Sequence, residues 1–324
     1  MPDSYLNAIY SKVKNIIPPA EWCIFFDEIK KIHSLKRELN AVILAHNYQT
    51  PEIVHGVADI VGDSLLLARE AKNMDAQTIV VAGVYFMAET VKLLNQERTV
   101  LIPDAKAGCS LAESITPSDV EILKEAFPNT PIVTYVNTSA AVKAVSDICC
   151  TSANAKYIVE SLGVPRVLMI PDEYLAQNVA HETRVEILTW KGHCEIHEKF
   201  TQDDIRQLRY SYPNALILAH PECSPHVIER VDFSGSTAHM SDFIANRKPR
   251  QVVLLTECSM SDNVSVSLND PDIEFIRSCN LCPHMKRITL TKIREALEKN
   301  NYEVRLHPEI AEKARVSVER MLDA

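Results

Sequence analysis

Long apolar runs are missing from this chain of 324 residues. No stretch reaches the roughly 18 apolar residues of a membrane-spanning helix, and the N-terminal MPDSYLNAIYSKVKNIIPP lacks the uninterrupted apolar core of a secretory leader. The expectation is a cytoplasmic protein with no membrane partner. A basic surface is missing too: 34 Lys+Arg stand against 43 Asp+Glu, a net charge of −9, which is the wrong sign for a nucleic-acid binder. Glycine is scarce at seven residues, and neither G-x-G-x-x-G nor G-x-x-x-x-G-K-[ST] occurs, so nucleotide-dependent functions lack support. The nine cysteines contain no ferredoxin-type C-x-x-C-x-x-C run and a single C-x-x-C pair, Cys279–Cys282, which argues against an electron carrier and against a paired-arm zinc finger. An odd count scattered from Cys23 to Cys282 also makes a disulfide framework improbable.

What is present is one pattern written three times. Apolar runs ending in polar residues occur at Ala41–Tyr48, Pro131–Asn137 and Ala215–His220, with His46, Asn137 and His220 spaced by 91 and 83 residues. Each run is followed by a small polar element: Gly62-Asp63-Ser64, Thr151-Ser152-Ala153-Asn154 and Gly235-Ser236-Thr237. A second apolar run follows at Thr78–Gly83, Arg166–Ile170 and Gln251–Leu255, and each unit then delivers a cysteine: Cys109, Cys194 and Cys282, at steps of 85 and 88. Wholly apolar runs of four to six residues, alternating with helical stretches such as Ser64–Lys72, Ser139–Asp147 and Thr289–Lys299, read as buried parallel strands in βαβ units. The predicted fold is α/β: three homologous three-layer domains around a pseudo-three-fold axis with a central site. The domains run over residues 1–120 with an N-terminal helical segment, 121–205, and 206–324 with C-terminal helices. Loops beyond the carboxyl ends of parallel strands form the binding crevice in such sheets. Four of the seven glycines, Gly62, Gly108, Gly192 and Gly235, lie beside the candidate residues, where a backbone must approach closely.

Thiolates select zinc or iron-sulfur clusters. Two options remain at this point. One is a zinc site built from Cys109, Cys194, Cys282 and a histidine such as His193 or His197. The other is a 4Fe-4S cluster with three protein ligands, whose fourth iron is open to act as a Lewis acid.

The runs AHNYQ (45–49), GDSL (62–65), VYFMAET (84–90), GCSLA (108–112), YVNTS (135–139), CTS (150–152), WKGHC (190–194), HPEC (220–223), GST (235–237) and CNLCPHMK (279–286) together resemble quinolinate synthase, in order from about residue 40 to residue 290. The resemblance implies condensation of iminoaspartate with dihydroxyacetone phosphate to quinolinate, phosphate and two waters on the route to NAD. It also implies three α/β domains around a 4Fe-4S cluster held by Cys109, Cys194 and Cys282, and it makes the enzyme that supplies iminoaspartate a transient partner. Ser64 is assigned by its Gly-Asp-Ser context, and Cys282, preceding Pro283, is chosen as ligand over Cys279. Cys279 could form a reversible disulfide with Cys282.

Both substrates are anions, so hydrogen-bonding partners must be local. Ser64, Ser152, Ser236 and Thr237 precede helical stretches and would offer hydroxyls and helix N-terminal amides; taken alone, such residues are more often caps. His46 and His220 occupy matching positions, where imidazole can bind a carboxylate or move a proton. Tyr48, Tyr135 and Asn137 add neutral donors and acceptors. Glu222 is the one carboxylate beside these strand ends and is assigned as general base. Two competitors remain: a different three-cysteine cluster dehydratase, which would turn over a hydroxy acid alone, and a non-catalytic metal sensor, which would tolerate loss of Glu222.

Overall fold

The structure, a computed structural model, describes residues 3–324. Among the described residues twelve strands form three four-stranded sheets. They are β1 (Ala41–His46), β2 (Ile60–Gly62), β3 (Thr78–Ala82), β4 (Thr99–Leu101), β5 (Ile132–Tyr135), β6 (Ile148–Cys150), β7 (Arg166–Ile170), β8 (Glu186–Thr189), β9 (Leu216–Ala219), β10 (Phe233–Ser234), β11 (Gln251–Leu255) and β12 (Glu274–Ile276). The three sheets share one order: β2-β1-β3-β4, β6-β5-β7-β8 and β10-β9-β11-β12. The pairings are parallel, as the near-continuous apolar runs require: Ile43, Leu44 and Ala45, Val133, and Ile217 and Leu218 are fully buried in the central strands. The expected α/β class with three repeated parallel sheets is therefore what the chain forms.

One aspartate pins each central strand. Asp59, Asp147 and Asp232 accept a hydrogen bond from the amides of Ile43, Ile132 and Ile217 at 2.8, 2.8 and 2.7 Å, and their own amides donate back to the same residues' carbonyls. This reciprocal pair sets the true phase of the repeat. It aligns His46 with Tyr135 and His220, and Tyr48 with Asn137 and Glu222, whereas the apolar pattern alone aligned His46 with Asn137. The difference arises because Tyr135 ends β5 yet reads as a continuation of its apolar run, so the first plainly polar residue comes two positions late.

The chain divides into two compact units, residues 1–107 with 257–305, and residues 108–256 with 306–324. In the first, the helix Pro19–Glu38 packs on the helix Leu290–Lys299, and Arg294 bonds Glu28 at 2.8 Å. In the second, the C-terminal helix Pro308–Asp323 packs on the short helix Ala140–Ala144 and on β6. Among the described residues no helix is long and apolar enough to cross a membrane.

Candidate active site

In the second unit the loops after β5 and β9 meet around one carboxylate. Glu222 is 3 % exposed. Tyr135 Oη donates to its Oε1 at 2.6 Å and Asn137 Nδ2 to the same atom at 3.3 Å, while His197 Nδ1 lies 2.6 Å from Oε2. His220 Nδ1 is 3.7 Å from Oε2 and accepts the Glu222 amide, which turns the loop so that both side chains face the same place. The His197 and His220 rings stack at 4.7 Å, and Ser152 Oγ lies 3.3 Å from His220 Nε2. Burial works to raise the Glu222 pKa, but the adjacent charges of His220 and His197 and the bonds from His197 and Tyr135 reverse this and hold it below the usual carboxylate range. Asp172 behaves oppositely. It is buried, its Oδ2 has no partner, and burial together with the Glu222 charge raises its pKa above the ordinary value.

The cysteines repeat at the level of the backbone. Tyr85 N donates to Ala107 O, Glu173 N to Gly192 O and Cys258 N to Asn280 O, at 2.7, 2.9 and 3.2 Å, and in each case the cysteine follows two residues after the acceptor. Cys109, Cys194 and Cys282 then each open a turn, their carbonyls accepting from Glu113, Glu198 and Lys286. Seven residues on, Thr116, Thr201 and Thr289 cap the next helix. Cys282 rather than Cys279 thus holds the repeated position. Cys279 is bonded to Cys258, their Cα atoms 4.9 Å apart on adjoining segments, a pairing the sequence reading did not anticipate; Cys279 is therefore neither a spare thiol nor joined to Cys282. Cys149, Cys150 and Cys223 are buried, while Cys109, Cys194 and Cys282 are half-buried, so these three do not fill the role of core hydrophobes.

Gly192 is a tight point of the Cys194 turn. A Cβ there would sit 2.4 Å from Pro171 O and 2.5 Å from Ser114 Oγ. Ser110, next to Cys109, donates to His193 O and accepts from Glu195 N, both at 3.1 Å, so it binds the residues on either side of Cys194. Burial raises the Cys194 thiol far above its ordinary pKa, and the charges of Glu222 and Cys109 add to this. Cys194, His197 and Glu222 also place ligand atoms within 4.8 Å of one another.

The first unit carries the remaining residues. Tyr48 N donates to His46 Nδ1 at 3.1 Å, and the two rings meet edge to face at 4.5 Å, the same loop form as His220 and Glu222. Lys286 Nζ donates to Tyr48 O (2.7 Å) and Ser259 Oγ (2.7 Å) and pairs with the buried Glu257 (2.9 Å), whose Oε1 accepts from Cys282 N at 3.4 Å. The Cys282 turn and the Tyr48 loop are thereby tied together. Burial holds Glu257 above the ordinary carboxylate range in spite of Lys286.

The structure gathers Tyr135, Asn137, Ser152, His220 and Glu222, and separately His46 and Tyr48 with the Cys282 turn. Ser236 caps the helix Thr237–Arg247 through His239 N, and Thr237 begins it. Ser64 is the first residue of the helix Ser64–Lys72, and the cap is Asp63, whose carboxylate accepts from Leu66 N. Asp172 was left out of the site by the sequence reading, and His197 entered it only as an alternative zinc ligand. The repeat phase gives no pointer to His197, since its counterparts three residues after the other cysteines are Ala112 and Met285.

The family model described as Quinolinate synthetase A protein matches residues 30–323. The chain is 67 % identical over 315 residues to the quinolinate synthase of Agrobacterium fabrum, covering 97 % of this chain and 91 % of that one. It is 65 % identical over 314 residues to quinolinate synthase 2 of Mesorhizobium japonicum (97 % and 96 % covered), and 67 % identical over 298 residues to the quinolinate synthase of Xylella fastidiosa (92 % and 87 % covered). A match of this extent, laid over a thrice-repeated sheet with a cysteine at the same place in each repeat, makes the chain a member of the quinolinate synthetase A family.

Proposed function

We propose that the chain is an enzyme that condenses iminoaspartate with dihydroxyacetone phosphate to quinolinate, phosphate and two waters, in the biosynthesis of NAD. The observation that carries this is Glu222: a buried carboxylate at the end of β9, with Tyr135, Asn137, His197 and His220 around it. Such a group accepts a proton from carbon during enolisation and dehydration. Tyr135 and Asn137 hold its Oε1, leaving the histidine side to pass the proton on. Ser152, His220, His46, Tyr48, Ser64, Ser236 and Thr237 bind the carboxylates and phosphate through neutral donors and histidines, in keeping with a net charge of −9 that offers no general attraction for anions.

The cofactor of this reading is a 4Fe-4S cluster held by Cys109, Cys194 and Cys282. When bound, it supplies a Lewis acid at one iron without a protein ligand. The half-buried thiols, and the ligand atoms that Cys194, His197 and Glu222 place within 4.8 Å of one another, support a metal there. The reading keeps three repeat domains, 1–120, 121–205 and 206–324, a cytoplasmic location, and transient transfer of iminoaspartate from the enzyme that makes it. The test is anaerobic reconstitution with iron and sulfide counted and quinolinate assayed by chromatography. Turnover of a hydroxy acid alone, or no quinolinate from a fully loaded protein given both substrates, would overturn it.

A further inference from the structure

The residues aligned by the strand-pinning aspartates, Tyr48, Asn137 and Glu222, share a feature that lies outside their own side chains. In each repeat the carbonyls immediately before and after that residue are bridged by one nitrogen. Asn263 Nδ2 donates to Asn47 O (2.9 Å) and Gln49 O (2.7 Å). Asn178 Nδ2 donates to Pro221 O (2.8 Å) and Cys223 O (2.9 Å). Lys143 Nζ donates to Val136 O (2.8 Å) and to Thr138 O. The residue between the two gripped carbonyls is Tyr48, Glu222 and Asn137 respectively.

The donors are not chance neighbours. Asn178 and Asn263 stand five residues after Glu173 and Cys258, the first residues of their helices, and are therefore in the same phase. Two carbonyls can be satisfied only by a group with two hydrogens and no lone pair facing them, which fixes the orientation of both amides. The corresponding position in the helix Tyr85–Leu94 is Thr90, whose hydroxyl donates to Phe86 O instead. The loop at Asn137 is gripped by a lysine from the adjoining turn. Lys143 occupies the place filled by Val54 and Ile228 in the other repeats, each 11 residues after the pinned isoleucine, and it is fully buried. A buried lysine where two copies carry aliphatic residues departs from the repeat at the one loop without an asparagine. Such breaks in an otherwise consistent pattern concentrate at functional sites.

We infer that Asn178, Asn263 and Lys143 are positioning residues, each holding one site residue of the proposed reaction by gripping the backbone on both sides of it. The inference builds on the proposed function for its consequence and on the structure alone for its geometry. Asn95 offers a matched control. It is as buried as Asn178 (7 % exposed in both) and bridges two carbonyls in the same manner, Ala71 O and Val91 O at 3.0 and 3.1 Å, but touches none of the site residues.

The experiment compares Asn178→Asp with Asn95→Asp in the full, cluster-loaded chain. Each puts a lone-pair oxygen against two carbonyls in an unchanged shape. Both are expected to lower the unfolding midpoint. Only Asn178→Asp should speed amide exchange in the peptide 219–224 and lower kcat/KM about 100-fold, mainly in kcat, with iron content retained. If Asn178→Asp does not fold, Asn178→Ser, which leaves room for a bridging water, is expected to show the same pattern in smaller measure. Equal effects of the two substitutions on activity and on exchange in 219–224 would overturn the inference. Faster exchange in a wild-type background that makes no quinolinate would uphold the grip and overturn the proposed reaction.

Discussion

Replacing Glu222 by glutamine separates fold from chemistry at the centre of the site. Glutamine keeps the shape and an acceptor oxygen for Tyr135 Oη and Asn137 Nδ2, now at 2.6 and 3.3 Å. Its amide would face His197 Nδ1, which can accept once the imidazole proton sits on Nε2, where Thr256 Oγ1 waits at 2.9 Å. What is lost is the charge: a charge-assisted bond is worth about 1.5–3 kcal/mol, against about 1 kcal/mol for the neutral bond that replaces it. The stability cost is then about 1–2 kcal/mol, and the fold survives. Activity should fall much further, about 100- to 10,000-fold in kcat/KM, because glutamine cannot take a proton. The assay is quinolinate formation from both substrates under anaerobic conditions, with the unfolding midpoint and iron content measured on the same sample. A variant that folds, keeps its iron and retains kcat/KM within about threefold of wild type would refute a base role for Glu222, since a general base contributes at least about 100-fold.

Cys282→Ser is expected to lose bound iron and sulfide while Cys279→Ser keeps both, because only Cys282 occupies the repeated position two residues after the backbone acceptor; counting iron and sulfide per chain decides it. Gly192→Ala should destabilise the chain by about 1–3 kcal/mol, the usual cost of forced overpacking, since its Cβ meets Pro171 O at 2.4 Å; a thermal melt equal to wild type would contradict this. His55 gives a pH effect. Burial, aided by Lys12, lowers its pKa to about 4, below the roughly 6.5 of an unfolded histidine. The unfolded chain therefore binds the proton first: stability from this group is complete above about pH 6.5 and falls by up to about 3 kcal/mol as pH drops toward 4. Denaturant melts across that range should show the slope, and His55→Gln should flatten it.

Much of this protein could be read from its sequence, and the reason is period. Wholly apolar runs of four to six residues have little alternative to buried parallel strands, and the six inner strands fall where the runs predict them. The outer strands β2, β4, β6, β8, β10 and β12 are only two to four residues long, too short for any pattern to stand out. The site residues were legible as strand-end side chains, but their phase was not. That depends on Asp59, Asp147 and Asp232 reaching a neighbouring strand, a contact between residues 15 or 16 apart with no sequence signature of its own.

By itself, then, the sequence determined the α/β class, the threefold repeat, the cysteine in each repeat and the family, because these rest on local patterns that recur. Only the tertiary structure decided which residues align across the repeats and that Cys279 joins Cys258. It alone showed that Glu222 is buried among Tyr135, Asn137, His197 and His220, and that two asparagines and a lysine grip the loops from behind. Each of these depends on how far a side chain reaches in space and on how little water surrounds it, and neither quantity is written in the order of residues along the chain.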